Sequence, residues 1–344
     1  MGHRLIAVVA LLALAPSSLA VAARRPASRK ARPRAATVPA LPSMILPAEA
    51  SSHDLAVGEA SRRALGRQNG AVVAMDPRTG RVLALVNPGQ GLVKAYQPCS
   101  VFKVVVGLAG LSEGVITPDS RLTCAGGTCW NWPGHGPIDL RRALAGSCNP
   151  FFEQVGERLG YTKVQEYARL LGLGAPSGIN LTGEAAGKLP EFVRPEDVGH
   201  LSSHAAGIAT SGVQLAVLIS AMINGGIVYQ PQVTGGASFV PRERWRLPPS
   251  ARVQGLAEGF VGAVNEGSAS SAFDPDITVA GKTGSCSGLG WFASYAPADR
   301  PELVVVVLVK PGNGHYASAV AGRIYQELYK PSPPAFTIGS SGGR

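Results

Sequence analysis

The 344-residue sequence predicts an α+β (α/β) domain: one antiparallel sheet built from both ends of the chain, with a mostly helical region inserted between. Three observations lead there. A strand–turn–strand pattern opens the ordered region over residues 71–86. Apolar stretches ended by glycine, at helical spacing, fill much of residues 100–226. Two β-rich runs and a final helix close the chain over residues 291–328.

The elements follow in order. Ala71-Val-Val-Ala-Met-Asp76 is rich in β-formers, Pro77-Arg-Thr-Gly80 is a turn, and Arg81-Val-Leu-Ala-Leu-Val86 is a second strand, so the three make a hairpin. Ser100 to Glu113 is apolar with small residues and stops at Gly114, which predicts a buried helix with Ser100 in its first turn. Residues 139–172 hold shorter helical patterns, and Gly212 to Asn224, stopped by Gly225-Gly226, is another buried helix. Ile277 to Ala280 leads through Gly-Lys-Thr-Gly to Trp291-Phe-Ala-Ser-Tyr295. Leu303 to Val309 is an unbroken apolar strand, as for a strand buried on both faces, and Tyr316 to Leu328 is the closing helix.

The ends differ in character. Arg4 precedes eleven apolar residues, Leu5 to Ala15, then Pro16 and the small-x-small site Ala20-Val21-Ala22. This is the pattern of an export signal over residues 1–22, too short to span a bilayer, where about 20 residues are needed. The basic residues from Arg24 to Arg34 favour the alternative, an uncleaved anchor. Residues 23–66 are assigned to a basic Ala/Pro/Arg-rich linker, 67–330 to the folded domain, and 331–344 to a polar disordered tail. The net charge of +10 includes seven Lys/Arg in residues 1–34; without them the remainder carries only +3. That balance and an exported context argue against nucleic acid as a partner. Membrane contact is expected only through an uncleaved N-terminus.

Ser100-Val-Phe-Lys103 sets a hydroxyl and an amine on one helix face. A serine needs an adjacent base, and a lysine serves only when partly neutral, which burial among Val, Phe and Val-Val-Val would bring about. The plain alternative is a serine cap with a solvated lysine. Ser147-Cys-Asn149 reads alone as a helix cap. Lys282-Thr-Gly284, running on into Ser285, reads as a β-turn or as a strand edge pairing with an extended peptide, Lys282 and Thr283 reaching its terminal carboxylate. Their order and spacing, 47 and then 135 residues apart, carry more weight than any one alone.

Together these motifs resemble those of β-lactamases and penicillin-binding proteins. The resemblance extends from about Gly70 to Tyr329 and is closest to the transpeptidase domain of class B penicillin-binding proteins. Gln97-Pro-Cys-Ser-Val-Phe-Lys103 resembles that family's Pro-Gly-Ser-x-Phe-Lys. Thr123-Cys124 through Cys129-Trp130 to Gly134-His135-Gly136 resembles its Cys-Gly…Cys-Trp…Gly-His-Gly stretch. Gly207 to Ala216 and Asn224-Gly-Gly226 resemble its Thr-Pro-x-Gln-Leu-Ala…Asn-Gly-Gly, and Trp291 to Pro297 the strand after Lys-Thr-Gly.

The resemblance implies a β-lactamase/transpeptidase-like fold with a five-stranded antiparallel sheet, and a serine D,D-transpeptidase acting on D-Ala-D-Ala stem peptides of peptidoglycan. Ser100 would be the nucleophile, Lys103 the base and Ser147 the proton relay. Asn149, Lys282, Thr283 and Gly284 would bind substrate, and the backbone N–H groups of Ser100 and Ser285 would form the oxyanion hole. β-Lactams would acylate Ser100. Stem peptides, β-lactams and cell-wall synthesis proteins are the implied partners, and the periplasm or outer face of the cytoplasmic membrane the implied place. The same motifs serve D,D-carboxypeptidases. A β-lactamase would need a second base, and Glu184 and Glu191, the acids weighed for it, sit in Gly/Pro-rich context. A non-catalytic β-lactam sensor and a wall-anchored structural protein are further readings. Neither the family's N-terminal pedestal nor a glycosyltransferase domain is expected within these 344 residues.

Five cysteines leave at least one thiol free. Cys124 and Cys129 are expected to pair in an oxidising compartment. No metal or cofactor is expected, because Cys-x4-Cys without a second pair or accompanying histidines does not suit zinc. Cys99, where the family has glycine, reads with Cys148 and Cys286 as a small buried hydrophobe; the second reading is a bond between two of the three near the site.

Overall fold

A computed structural model describes residues 42–330; the expected export signal, the first part of the linker and the tail lie outside the described residues. Strands β1 (Met44–Ile45), β2 (Gly70–Asp76) and β3 (Arg81–Val86) and helices α1 (Ser52–Leu65) and α2 (Pro88–Gly91) come first. A 3-10 turn, Cys99–Phe102, runs into α3 (Lys103–Ser112). A small hairpin, β4 (Leu122–Cys124) and β5 (Gly136–Ile138), precedes α4 (Leu140–Ala145), α5 (Asn149–Leu170), α6 (Val198–His204) and α7 (Gly212–Ile223). A second hairpin, β6 (Ile227–Tyr229) with β7 (Glu243–Arg246), leads to α8 (Ala257–Asn265). Then come β8 (Ala280–Cys286), β9 (Leu289–Ala296), β10 (Leu303–Val309) and α9 (Gly314–Tyr329).

The main sheet runs β1-β3-β2-β10-β9-β8, with antiparallel neighbours throughout. Five strands answer the expectation, and the two-residue β1 adds a sixth at one edge. β10 is central, with Val306 opposite Val73 on one side and Ala293 on the other. Its alternate side chains enter two different cores. Val304, Val306 and Leu308 pack with α3, α5 and α7, whereas Leu303, Val305, Val307 and Val309 pack with α1 and α9. Each such side chain contributes on the order of 1.5–3 kcal/mol by burial, which is why an unbroken valine run suits this position.

The linker expectation for residues 23–66 needs correction. Ser52–Leu65 is a fourteen-residue helix. Ser51 accepts from the Asp54 backbone N–H, and Asp54 Oδ2 accepts from the Ser51 N–H at 2.7 Å, a capping box. Asp54 is fully buried and takes a two-pronged ion pair from Arg81 on β3, at 2.8 and 2.5 Å. The composition of the basic stretch before it masked this amphipathic segment.

Helix α3 is buried on all sides from Lys103 to Leu111, as its composition predicts, and Gly114 follows it at φ +70°. Helix α5 carries a break at Gly160 (φ +72°). Among the described residues no helix is long and apolar enough to cross a membrane.

Candidate active site

Three segments converge at one end of the sheet. The 3-10 turn delivers Ser100, and Lys103 starts α3 one turn on, fully buried. The loop between α4 and α5 delivers Ser147, and the first residue of α5 is Asn149. Strand β8 delivers Lys282 and Thr283 from within the strand, not from a turn at its end.

Lys103 Nζ lies 3.0 Å from Ser100 Oγ, 2.8 Å from Ser147 O, 3.2 Å from Ser147 Oγ and 2.5 Å from Asn149 Oδ1. An ammonium has only three N–H groups for these four oxygens. When the amine is neutral its lone pair accepts from a hydroxyl, which fits proton removal from Ser100. Burial drives this lysine down to about 7. The Phe152 ring, 5.7 Å from Nζ, forms part of its apolar wall.

Lys282, also fully buried, donates to Ser147 Oγ at 2.9 Å and to Thr283 O at 2.9 Å. Ser147 Oγ therefore bridges the two amines. Burial first, and the charge of Lys103 second, hold Lys282 well below the usual lysine range. Thr283 Oγ1 lies 2.6 Å from Ser268 Oγ. A cleft lined by Trp130, His135, Arg142, Glu266 and Ser268 opens on that side.

Backbone strain marks two of these positions. Ser147 has φ +56° and Cys99, directly before Ser100, φ +53°. Non-glycine residues hold the left-handed region only where the surroundings enforce it. Asn149 is held by donating from Nδ2 to Thr128 O at 2.8 Å. The approach to Ser100 is held by Trp291 Nε1 donating to Gln97 O at 2.9 Å. Gly284 lets β8 lie against the turn that bears Ser100, since a Cβ there would come 2.6 Å from Pro98 O. The expected site residues Ser100, Lys103, Ser147, Asn149, Lys282 and Thr283 thus come together, with Ser285 next to Gly284. Ser268 and Thr128 escaped the sequence reading, and no local pattern marks either.

The cysteines do not follow the expected Cys124–Cys129 pairing; the bond instead joins two of Cys99, Cys148 and Cys286, the second of the two readings. Cys99 and Cys286 form a disulfide, with Cα atoms 5.7 Å apart, while Cys124, Cys129 and Cys148 are free. The expected Cys124–Cys129 bond does not form because both thiols turn toward His135 Nδ1, at 3.5 and 3.3 Å. Cys148 completes a group whose four donor atoms lie within 4.8 Å of one another. Three thiols and an imidazole are the donor set of a closed tetrahedral zinc site, and these are the residues that could hold a metal. The expectation of none rested on the Cys-x4-Cys spacing and missed the contribution of His135 and Cys148. A second group, Glu153, His200 and His204, lies beside Asn149, whose Nδ2 is 3.2 Å from His204 Nε2. Glu184, weighed as a second base, instead accepts from the Ser177 and Gly178 backbone N–H groups.

A family profile described as "Penicillin binding protein transpeptidase domain" matches residues 70–330, which include every one of these side chains. The chain belongs to that family. Similar curated proteins include stage V sporulation protein D of Bacillus subtilis, 27% identical over 77% of this chain and 49% of its own length. Peptidoglycan D,D-transpeptidase MrdA of Haemophilus influenzae is 26% identical over 80% and 55%, and PbpA of Mycobacterium tuberculosis 26% over 72% and 63%. The chain thus spans about half to under two thirds of these relatives. Among solved structures, the D,D-transpeptidase domain of an Eggerthella lenta peptidoglycan glycosyltransferase aligns with TM-score 0.70 and 22% identity, over 79% of this chain and 80% of that one. Penicillin-binding protein A from M. tuberculosis, as an imipenem acyl-enzyme complex, aligns with TM-score 0.68 and 24% identity, over 81% and 78%. The likeness to these structures is one of fold, and it matches the mixed sheet-and-helix architecture expected for the family.

Proposed function

We propose that this chain is an exported serine D,D-transpeptidase that acts on D-Ala-D-Ala stem peptides of peptidoglycan and is acylated by β-lactams at Ser100. The observation that carries this reading is the continuous chain of groups from Ser100 Oγ through Lys103 Nζ and Ser147 Oγ to Lys282 Nζ, each step 2.9–3.2 Å. The names of the relatives, peptidoglycan D,D-transpeptidases among them, support the substrate class.

Neutral Lys103 takes the proton of Ser100 Oγ as that oxygen attacks the penultimate D-Ala carbonyl. The backbone N–H groups of Ser100 and Ser285 stabilise the oxyanion, where one donor is worth roughly 10²–10³ in rate. Ser147 passes the proton to the leaving D-Ala amine, and the carbon–nitrogen bond breaks to leave an acyl ester on Ser100. An acceptor amine then attacks the ester, returns a proton through the same relay and frees Ser100. Lys282 and Thr283 hold the terminal carboxylate, whose arrival favours the charged form of Lys282. Asn149 orients the peptide, and Gly284 keeps β8 close to it. The D,D-carboxypeptidase alternative differs only in using water as acceptor. The action lies outside the cytoplasmic membrane, with cell-wall synthesis proteins as partners; a Helicobacter pylori relative of this fold has been solved in complex with MreC.

The test is incubation with a fluorescent penicillin beside Ser100→Ala, with the label chased for hours. A lasting adduct absent from Ser100→Ala is the expected result. Rapid loss of the adduct would move the reading to β-lactamase, and no adduct on folded protein would overturn it.

A further inference from the structure

The mechanism above makes no use of the Cys99–Cys286 bond, yet each of its cysteines is a direct chain neighbour of one oxyanion donor. Cys99 precedes Ser100, and Cys286 follows Ser285. The bond is also not the only place where β8 meets the nucleophile turn. Two residues earlier, on the same face of the strand, Gly284 lies so close that an added Cβ would be 2.6 Å from Pro98 O and 3.4 Å from Cys99 Cβ. Ser285 therefore sits between two fixing points, a close packing contact and a covalent link. At the other end of the link Cys99 is held at φ +53°, a conformation easy for glycine and strained for cysteine. The side chain of Cys99 is anchored by the disulfide itself, whose oxidised sulfur has no proton to donate to Gln97 O, 3.4 Å away. The bond also ties together residues 187 apart in sequence, so no local structure can substitute for it.

We propose that the Cys99–Cys286 disulfide is a positioning cross-link of the acylation step, holding the Ser100 and Ser285 backbone N–H groups at the separation the oxyanion requires. The proposal rests on the assignment of Ser100 as nucleophile given above. It predicts that acylation depends on the oxidation state of the protein. Reduction by dithiothreitol is a two-electron exchange. A reductant thiolate displaces one cysteine sulfur, its second thiolate closes a cyclic disulfide, and both protein sulfurs leave as thiolates that take up protons. The strand edge and the turn then stay packed at Gly284 but lose the link beyond Ser285.

The test measures the acylation rate constant and the non-covalent dissociation constant separately, by stopped-flow with a fluorescent penicillin. The samples are the oxidised chain, the same chain reduced and desalted without oxygen, its reoxidised product, and the Cys286→Ser and Cys99→Gly variants. The rate constant is expected to fall about 10- to 100-fold in the reduced chain and in both variants, less than the roughly 10²–10³ for a donor lost outright, because the donor is displaced and not removed. The dissociation constant should move less than twofold, and reoxidation should restore the rate only in the unmutated chain. A disulfide that merely stabilises the fold would lower the melting temperature and leave the rate constant within twofold at temperatures well below it; that result overturns the proposal. Ser100→Ala run alongside separates the two claims. Label on the oxidised chain, absent from Ser100→Ala and insensitive to reduction, sinks the cross-link alone. No label on the oxidised chain sinks the nucleophile assignment and the cross-link with it.

Discussion

Lys103 shows how one residue's surroundings make chemistry. The helix face that carries it offers only apolar neighbours, so folding removes its water and brings the amine down to about 7, where a useful fraction is neutral at physiological pH. The sign is definite: the protonated amine cannot accept the Ser100 proton, so acylation is slow below that value and fast above it. The acylation rate of the free protein, followed by penicillin labelling from pH 5 to 9, should rise about tenfold per unit at the acid end and level off above about 7. A flat profile would exclude Lys103 as the base. Lys103→Ala should cost about 10²–10⁴ in that rate with the fold intact by circular dichroism. Ser100, Lys103 and Lys282 were legible in the sequence because a hydroxyl and an amine three residues apart share a helix face and the strand motif is rare. Ser268 was not, since its contact with Thr283 joins residues that no local pattern relates.

The elements act by how closely they approach. Strand β8 lies against the nucleophile turn only because position 284 lacks a side chain. Gly284→Ala would put a Cβ 2.6 Å from Pro98 O, a rigid backbone atom. The strand must shift, so penicillin acylation should fall at least tenfold while the melting temperature drops only a few degrees. An alanine variant that labels at the normal rate would mean the approach is slack. The β4–β5 hairpin works differently, bringing Cys124, Cys129 and His135 up to Cys148 at the start of α5, one residue from both Ser147 and Asn149. From that donor set, added Zn²⁺ should bind at one equivalent and protect all three thiols from a disulfide reagent, and Cys148→Ser should weaken the binding at least tenfold. Thiols that stay fully reactive under zinc would show that the four donors do not act together.

At the scale of the molecule, both faces of the sheet must be covered. Helices α3, α5 and α7 cover the face that carries the site, and α1 with α9 covers the other. Helix α1 is therefore part of the domain. Its Val57, Ala60 and Leu65 are fully buried, and its Asp54 pairs with Arg81 of β3. A chain beginning at residue 67 should lose several kcal/mol of stability, because it leaves Arg81 without its buried partner and bares the apolar face. A chain beginning at residue 42 should melt as the full one does. Thermal melts of the two decide the matter, and equal melting temperatures would mean α1 contributes nothing.

Most strands and helices of the domain were legible from local information, and the candidate site residues from the order of three motifs along the chain. Alternation, glycine stops and turn residues act over a few positions, and the β10 valine run could only be a strand buried on both faces. Which cysteines bond, which cluster around His135, and that a helix precedes the first hairpin strand were settled only by the tertiary structure. Cys124 and Cys129 are near in sequence yet face an imidazole. Cys99 and Cys286 are 187 residues apart and meet because β8 ends beside the turn that bears Ser100. Bonding between side chains depends on distance and direction in space, and the sheet's topology, not the spacing along the chain, sets both.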